Sequence, residues 1–354
     1  MQPSVRPARR IPLLFLVLSL VGAPTVLRAA PLPDDKLVDA GSAKLQAGNV
    51  QAALADFAAA EKLAPKDPRP RYLRGAALAK VKDAMGAIKA YREALALDGK
   101  LANVHNELGA LLDEGGHTEE AFAEFKAALA ADASLGEAWQ NLGKLESGRK
   151  KYDAAIEALR KAAKLMDKDA DVRVDLAMAL RSAGKKDEAV AAAREAVSLD
   201  GACAPAHMAL GFSLQSSGKL DGAAAEFLTA TKLTPDDAGA HWALGLVERD
   251  RKKDAAALAA LTRAYQLRPS VAIAVDLAHA QGAVGERTRA VDTLRAASAK
   301  APRSLALRIE LGAALAEDKK CAEARKELAS LPAQPAVEAA VARAAKACGK
   351  DWKN

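Results

Sequence analysis

Residues 204–237 read APAHMALGFSLQSSGKLDGAAAEFLTATKLTPDD, and this stretch decides the fold. It parses as a helix of about 12 residues, a turn through Gly218-Lys219, and a second helix ending before Pro235. Its small residues recur. Ala223 belongs to a series Ala53, Ala87, Ala121, Ala155, Ala189, Ala223, Ala257 spaced by 34, continued by Ala290 after 33 and by Ala324. Seven residues beyond each stand Ala60, Ala94, Ala128, Ala162, Ala196, Ala230, Ala264, Ala297 and Leu331. Twelve before each stand Gly41, Gly75, Gly109, Gly143, Ala177, Gly211, Gly245, Ala278 and Gly312. A larger residue, mostly aromatic or Leu, lies at +4, as at Phe57, Tyr91, Phe125 and Phe227.

Phased columns over nine periods are the signature of a repeat array. Gly inside a helix costs about 1 kcal/mol relative to Ala. Seven of nine units accept it at one position, so a side chain is unwelcome there. Close approach of two helix backbones is the expected cause. One helical pair cannot bury its apolar face alone, but stacked pairs can.

The columns resemble the tetratricopeptide repeat. Trp139, Leu142, Gly143, Ala155 and Ala162 carry the pattern in the fourth unit, and Leu210, Gly211, Ala223, Phe227, Ala230 and Pro235 in the sixth. The resemblance implies an all-α, right-handed α-solenoid of about nine helix-turn-helix units over residues 34–338. Pro335 to Cys348 reads as a further helix, Pro at its start and Gly349 after its end. With the tail to 354 it should cap the last unit.

Composition agrees. Hydrophobic residues reach 51% but aromatics only 4%, which suits helix and disfavours an all-β fold. The net charge of +7 rests largely on Arg6, Arg9, Arg10 and Arg28 in residues 1–30, which contain no acid. The remainder carries 48 basic against 45 acidic residues without a basic stripe, so no nucleic-acid partner is expected. Residues 1–30 combine this cationic start with the apolar run Ile11–Val21 and small residues Ala29-Ala30, the layout of a signal peptide. The alternative is an uncleaved anchor, at the short edge of what spans a bilayer. Either way the protein is expected to be exported, periplasmic or secreted, and membrane-attached only if the leader is retained.

Three cysteines occur. If α-helices pair as a hairpin about Gln334, Cys321 and Cys348 lie 13 and 14 residues from the turn. A disulfide is then expected in an oxidising compartment, with two unlinked thiols as the alternative. Cys203 sits at a repeat junction without an evident partner. No cofactor, metal site or catalytic residue is expected. His105, His207 and His241 share one repeat position, too far apart to hold one ion, and read as packing residues. Gly143 to Lys150 lacks the ending of a phosphate loop.

The resemblance further implies a concave groove for a peptide or protein partner, lined from the first helix of each unit. In unit five it assigns Val174, Met178 and Arg181 to that groove. Unit six supplies Met208, Phe212 and Gln215, unit seven Trp242, Leu246 and Arg249, and unit eight Val275 and His279. Met and Trp suit contact surfaces, and the arginines offer charge to a carboxylate. Units one to four present a more polar lining, including Tyr72, Asn103, Asn106, Glu137, Gln140 and Lys144. Val38 and Ser42 stand where a chaperone-binding carboxylate clamp would begin with Lys and Asn, so that clamp is missing. The expected role is a non-catalytic envelope scaffold. The alternative is a regulatory or assembly subunit of an envelope enzyme complex, in secretion, pilus, polysaccharide-export or cytochrome-maturation machinery.

Overall fold

The computed structural model describes residues 32–352, so the leader expected in residues 1–30 lies outside the described residues. Among the described residues the regular structure is helical, with no strand. No described helix is long and apolar enough to cross a membrane. The chain divides into two compact units at Ala183 and Gly184.

The first unit contains α1 (Asp35–Gln46), α2 (Val50–Leu63), α3 (Arg69–Lys80), α4 (Ala84–Leu97) and α5 (Ala102–Glu114). It continues with α6 (Thr118–Ala131), α7 (Gly136–Gly148), α8 (Tyr152–Leu165) and α9 (Ala170–Ser182). The second contains α10 (Lys186–Leu199), α11 (Ala204–Ser216), α12 (Leu220–Leu233), α13 (Ala238–Asp250) and α14 (Asp254–Leu267). It ends with α15 (Val271–Ala283), α16 (Arg287–Lys300), α17 (Leu305–Glu317), α18 (Cys321–Ala329), α19 (Pro335–Cys348) and a 3₁₀ turn, Gly349–Trp352. Within each unit a helix packs against its neighbours in sequence, and odd-numbered helices also touch the next odd-numbered one, as α5 touches α7. This is consecutive helix-turn-helix packing of an α-solenoid.

The turn inside each pair needs one left-handed residue. Gly takes it at Gly48, Gly116, Gly184, Gly218 and Gly285, and Lys at Lys82, Lys150, Lys252 and Lys319. At these turns a backbone N–H reaches back five residues, as His117 N–H donates to Leu112 O at 2.8 Å, closing the helix end.

The alanine columns form the seam of the stack. Ala53, Ala87, Ala121, Ala155 and Ala223 are fully buried or nearly so, as are Ala60, Ala94, Ala128, Ala162 and Ala230. Backbone approach, the expected cause of the glycine column, holds only at Gly143 and Gly245, where a Cβ would lie 3.1 Å from Ala155 O and 3.3 Å from Leu261 N; a large side chain comes closer throughout. A Cβ on Gly109 would stand 2.7 Å from the Phe125 ring, and one on Gly75 2.4 Å from the Tyr91 ring. The large side chain at +4 of the second helix fills the space the glycine leaves. Gly143 and Gly245 face Leu159 and Leu261 in the same way.

At the far end α19 packs on α17 and α18. Val337, Ala340 and Ala344 enter the same apolar cluster as Leu311, Leu315 and Leu328. Cys321 and Cys348 are joined by a disulfide with Sγ–Sγ 2.10 Å. Cys203 forms no disulfide.

Candidate functional site

The three histidines sharing one repeat position do one structural job. His105 and His207 each place Nε2 3.1 Å from the carbonyl six residues earlier, Gly99 O and Gly201 O. His241 does so to Pro235 O at 3.0 Å. Trp139, at the equivalent position, donates Nε1–H to Ala133 O at 2.9 Å. A donor here ties the odd-numbered helix to the loop before it in these four units, which exchange His and Trp because both carry a ring N–H. Among the described residues no group of three or more His, Cys, Asp or Glu is placed to hold a metal ion.

The face of the odd-numbered helices is where side chains of successive repeats meet. Counting each repeat from residues 34, 68, 102 and onward, position six carries Asp39 in the first repeat, which no repeat precedes, and Glu107, Asp175, Asp276 and Glu310 in later ones. Three of these carboxylates are engaged by the preceding repeat. Asp175 accepts from Gln140 Nε2 at 2.7 Å, with Lys144 Nζ at 4.0 Å. Asp276 accepts from Trp242 Nε1 at 2.8 Å and from Arg249 at 2.8 Å. Glu310 lies 3.0 Å from His279 Nε2. That hydrogen bond raises the His279 pKa above its ordinary value and lowers that of Glu310. Burial holds Asp175 above the usual carboxylate range despite its partners.

Several expected groove residues therefore have internal duties. Trp242 departs most from an open contact residue: it is 7% exposed and spends its N–H on Asp276. Arg249 meets the same carboxylate. Gln215 reaches Asp250 at 3.4 Å. Phe212, half-buried, sets its ring edge-on to Phe227 with centroids 4.9 Å apart. Met208, Leu246 and Val275 are half-buried in the second unit, and His279 is exposed. Val174, Met178 and Arg181 are half-buried on α9 in the first unit, where burial lowers the Arg181 pKa.

Position six was not among the groove positions read from the sequence. Its signal was present: carboxylates at one phase, 31 residues after Lys144 and His279.

In the first unit the acid column has an exception. Glu107 carries no hydrogen bond or ion pair among the described residues, because the position occupied by Lys144 and His279 in other repeats is Ala76. Burial, with the nearby Glu137 charge, pushes the Glu107 pKa up to about 7. Glu137 is itself raised, by burial and by Asp169. Asn106 and Asn141 are occupied with each other at 3.0 Å. Two phenols feel the Glu107 charge: Tyr72, half-buried, and Tyr91, fully buried, with ring centroids 6.0 Å apart. Burial and the Glu107 charge raise both phenol pKa values, so both stay protonated.

Comparison with known proteins places this geometry. No curated protein matches the chain. Among solved structures, PilF of Pseudomonas aeruginosa is similar at 22% identity, over 62% of this chain and 97% of that one, with a TM-score of 0.53. A tetratricopeptide repeat protein of Parabacteroides merdae is similar at 17% identity, over 70% of this chain and 98% of that one, with a TM-score of 0.56. At these identities the likeness concerns the fold. The family model described as the tetratricopeptide repeat matches residues 38–102, 141–207 and 208–272, more than half of the chain. By these matches and by its stacked helical pairs, the chain belongs to the tetratricopeptide repeat family.

Proposed function

We propose that this protein is a non-catalytic scaffold of the cell envelope, exported through the leader in residues 1–30, that holds a partner segment on its odd-numbered helices. Tetratricopeptide repeat proteins generally serve as protein-interaction scaffolds, and the partner is accordingly a protein or peptide. The observation that carries the reading is the ladder of inter-repeat side-chain bonds. Gln140–Asp175, Trp242–Asp276 and His279–Glu310 fix the odd-numbered helices relative to their neighbours within each unit. A preorganised surface loses less freedom on binding than a mobile one. In the second unit, half-buried Met208, Phe212 and Leu246 add apolar contact area. A role as the regulatory or assembly subunit of an envelope enzyme complex uses the same surface and differs only in what the partner does.

The test places a photo-crosslinking residue at Phe212 and, as a control, at Met85, which is 85% exposed on α4. A discrete crosslinked protein from position 212, absent from position 85, supports binding on this face. Equal yields from both positions overturn it. Fractionation of cells expressing the chain with and without residues 1–30 tests export.

A further inference from the structure

We propose that Asp34 and Asp67 share one proton beside Arg69, and that this proton fastens the first repeat to the second, a pH-sensitive lock at the start of the stack. The lock does not rest on the scaffold reading. It governs α1, the first of the odd-numbered helices.

The first observation is a helix cap that does not cap. Asp169 and Asp237, at the N-caps of α9 and α13, each accept a backbone N–H of the helix that follows. Asp34 holds the same place before α1 and makes no such bond. It is 0% exposed, and neither carboxyl oxygen has a hydrogen-bond partner. A buried polar group left unpaired is costly. The stack does not require an acid here, because position one of the next repeats is Pro68, Ala102, Gly136 and Ala170.

The second observation is where that carboxyl stands. Asp34 Oδ2 lies 3.7 Å from Arg69 Nη2, beyond hydrogen-bond length. The same nitrogen lies 2.6 Å from Asp67 Oδ2 and 2.8 Å from Asp35 Oδ1. Asp67 also accepts from Arg69 Nε at 2.7 Å and from the Arg69 backbone N–H at 2.9 Å. One guanidinium therefore faces three carboxyl groups drawn from two repeats, and its bonds go to Asp35 and Asp67. Other nearby charges are engaged elsewhere. On α2, Asp56 pairs with Lys44 at 2.6 Å and Glu61 with Arg74 at 2.9 Å, while Arg71 on α3 reaches the Asp67 carbonyl at 3.2 Å.

A proton supplies what Asp34 lacks. Two neighbouring carboxyl groups with little access to water do not both ionise cheaply. Protonated Asp34 gains an O–H donor, and Asp67 is the acceptor beside it. Asp67 keeps its charge because Arg69 holds it. Burial, and then Asp67, push the Asp34 pKa above 3.8. Against its own burial, the Arg69 hydrogen bonds hold Asp67 below 3.8. A metal ion does not fit, since Arg69 already bridges the carboxylates, and among the described residues no group is placed to hold one. As pH rises from 3.8 through the folded value of Asp34, its ionisation opposes the fold and α1 loosens from α3. As pH falls below 3.8 through the folded value of Asp67, the support of the Arg69 pair is lost.

The test follows the full chain by NMR from about pH 3 to about pH 9, reading the side-chain carboxyl carbons of Asp34 and Asp67. Hydrogen exchange of the α1 amides, divided by their intrinsic rates, is read over the same span. The expected result is an Asp34 titration above 3.8 in which the Asp67 resonance moves together with Asp34. Protection of α1 should fall about tenfold or more across that step. Asp34→Asn stays neutral at every pH and keeps an N–H donor for Asp67, so its α1 protection should stay level there. An Asp34 titration at or below 3.8 overturns the inference, as does an Asp67 resonance that ignores the Asp34 step. So does α1 protection that is level in the unaltered chain, or a fall that persists in Asp34→Asn.

Discussion

His279 and Glu310, 31 residues apart, meet at 3.0 Å across two successive repeats. Lys144 and Asp175 stand in the same relation at 4.0 Å. The relation follows from the stack: the residue at position nine of one odd-numbered helix meets position six of the next. A repeat array thus converts a sequence offset into a recurrent contact.

The His279 pair has a defined pH window. Its partner raises His279 above 6.5 and lowers Glu310 below 4.5. The raised His contributes stability that is present below pH 6.5 and is lost as pH rises through its folded value. The lowered Glu contributes stability that is present above pH 4.5 and is lost as pH falls through its folded value. The pair is therefore strongest between these limits. His279→Gln should destabilise by about 0.5 kcal/mol in that window, a figure reduced for solvent screening at a half-exposed histidine. The loss should fade at about pH 8, as urea titrations at both pH values would record. A loss of equal size at both pH values counts against the ion pair.

Glu107 has the opposite sign. Its folded pKa, about 7, lies above its ordinary value of 4.5, so ionisation opposes folding as pH rises through that interval. Glu107→Gln should stabilise the protein at pH 8 by about 1–2 kcal/mol and leave stability at pH 4 nearly unchanged. Thermal melts across that range measure it. Destabilisation at pH 8 would show that the ionised carboxylate has a supporting partner.

Gly109→Ala tests the glycine column. The new Cβ would meet the Phe125 ring at 2.7 Å, and that ring is 1% exposed with little room to retreat. Overpacking of this kind costs about 1–3 kcal/mol. Gly148→Ala, where nothing lies within 4 Å, should be neutral or slightly stabilising as a control. Denaturant midpoints of the two variants separate steric conflict from helix propensity.

The cap depends on its disulfide. Cys321 and Cys348 are 27 residues apart in sequence, so the bond closes a loop whose entropy is worth about 3–4 kcal/mol. Replacing both cysteines with Ser should lower the stability of the last repeat by that order, and protection of α19 amides from hydrogen exchange should fall first. Unchanged protection would mean that packing of Val337, Ala340 and Ala344 alone secures the cap.

The periodic spacing of Ala121 and Ala128, of Gly109 and of Phe125 was sufficient to establish stacked helical pairs, because a repeat interface of fixed geometry restricts side-chain size at fixed intervals. The turn residues were partly legible: Gly116 announced its turn, whereas Lys150 in the same left-handed conformation carries no such compositional mark. The family relationship was legible for the same reason as the fold. What Trp242 does was not. Its phase placed it on the odd-numbered helix face, but only packing shows it buried with its N–H on Asp276. Likewise Glu107 reads as one acid among many until the stack half-buries it under the influence of the Glu137 charge and leaves Ala76 where a cation stands elsewhere. Periodicity is a property of interfaces that all repeats share, so one chain displays it openly. The state of a single charge depends on neighbours from several helices, and those neighbours come together only in the folded stack.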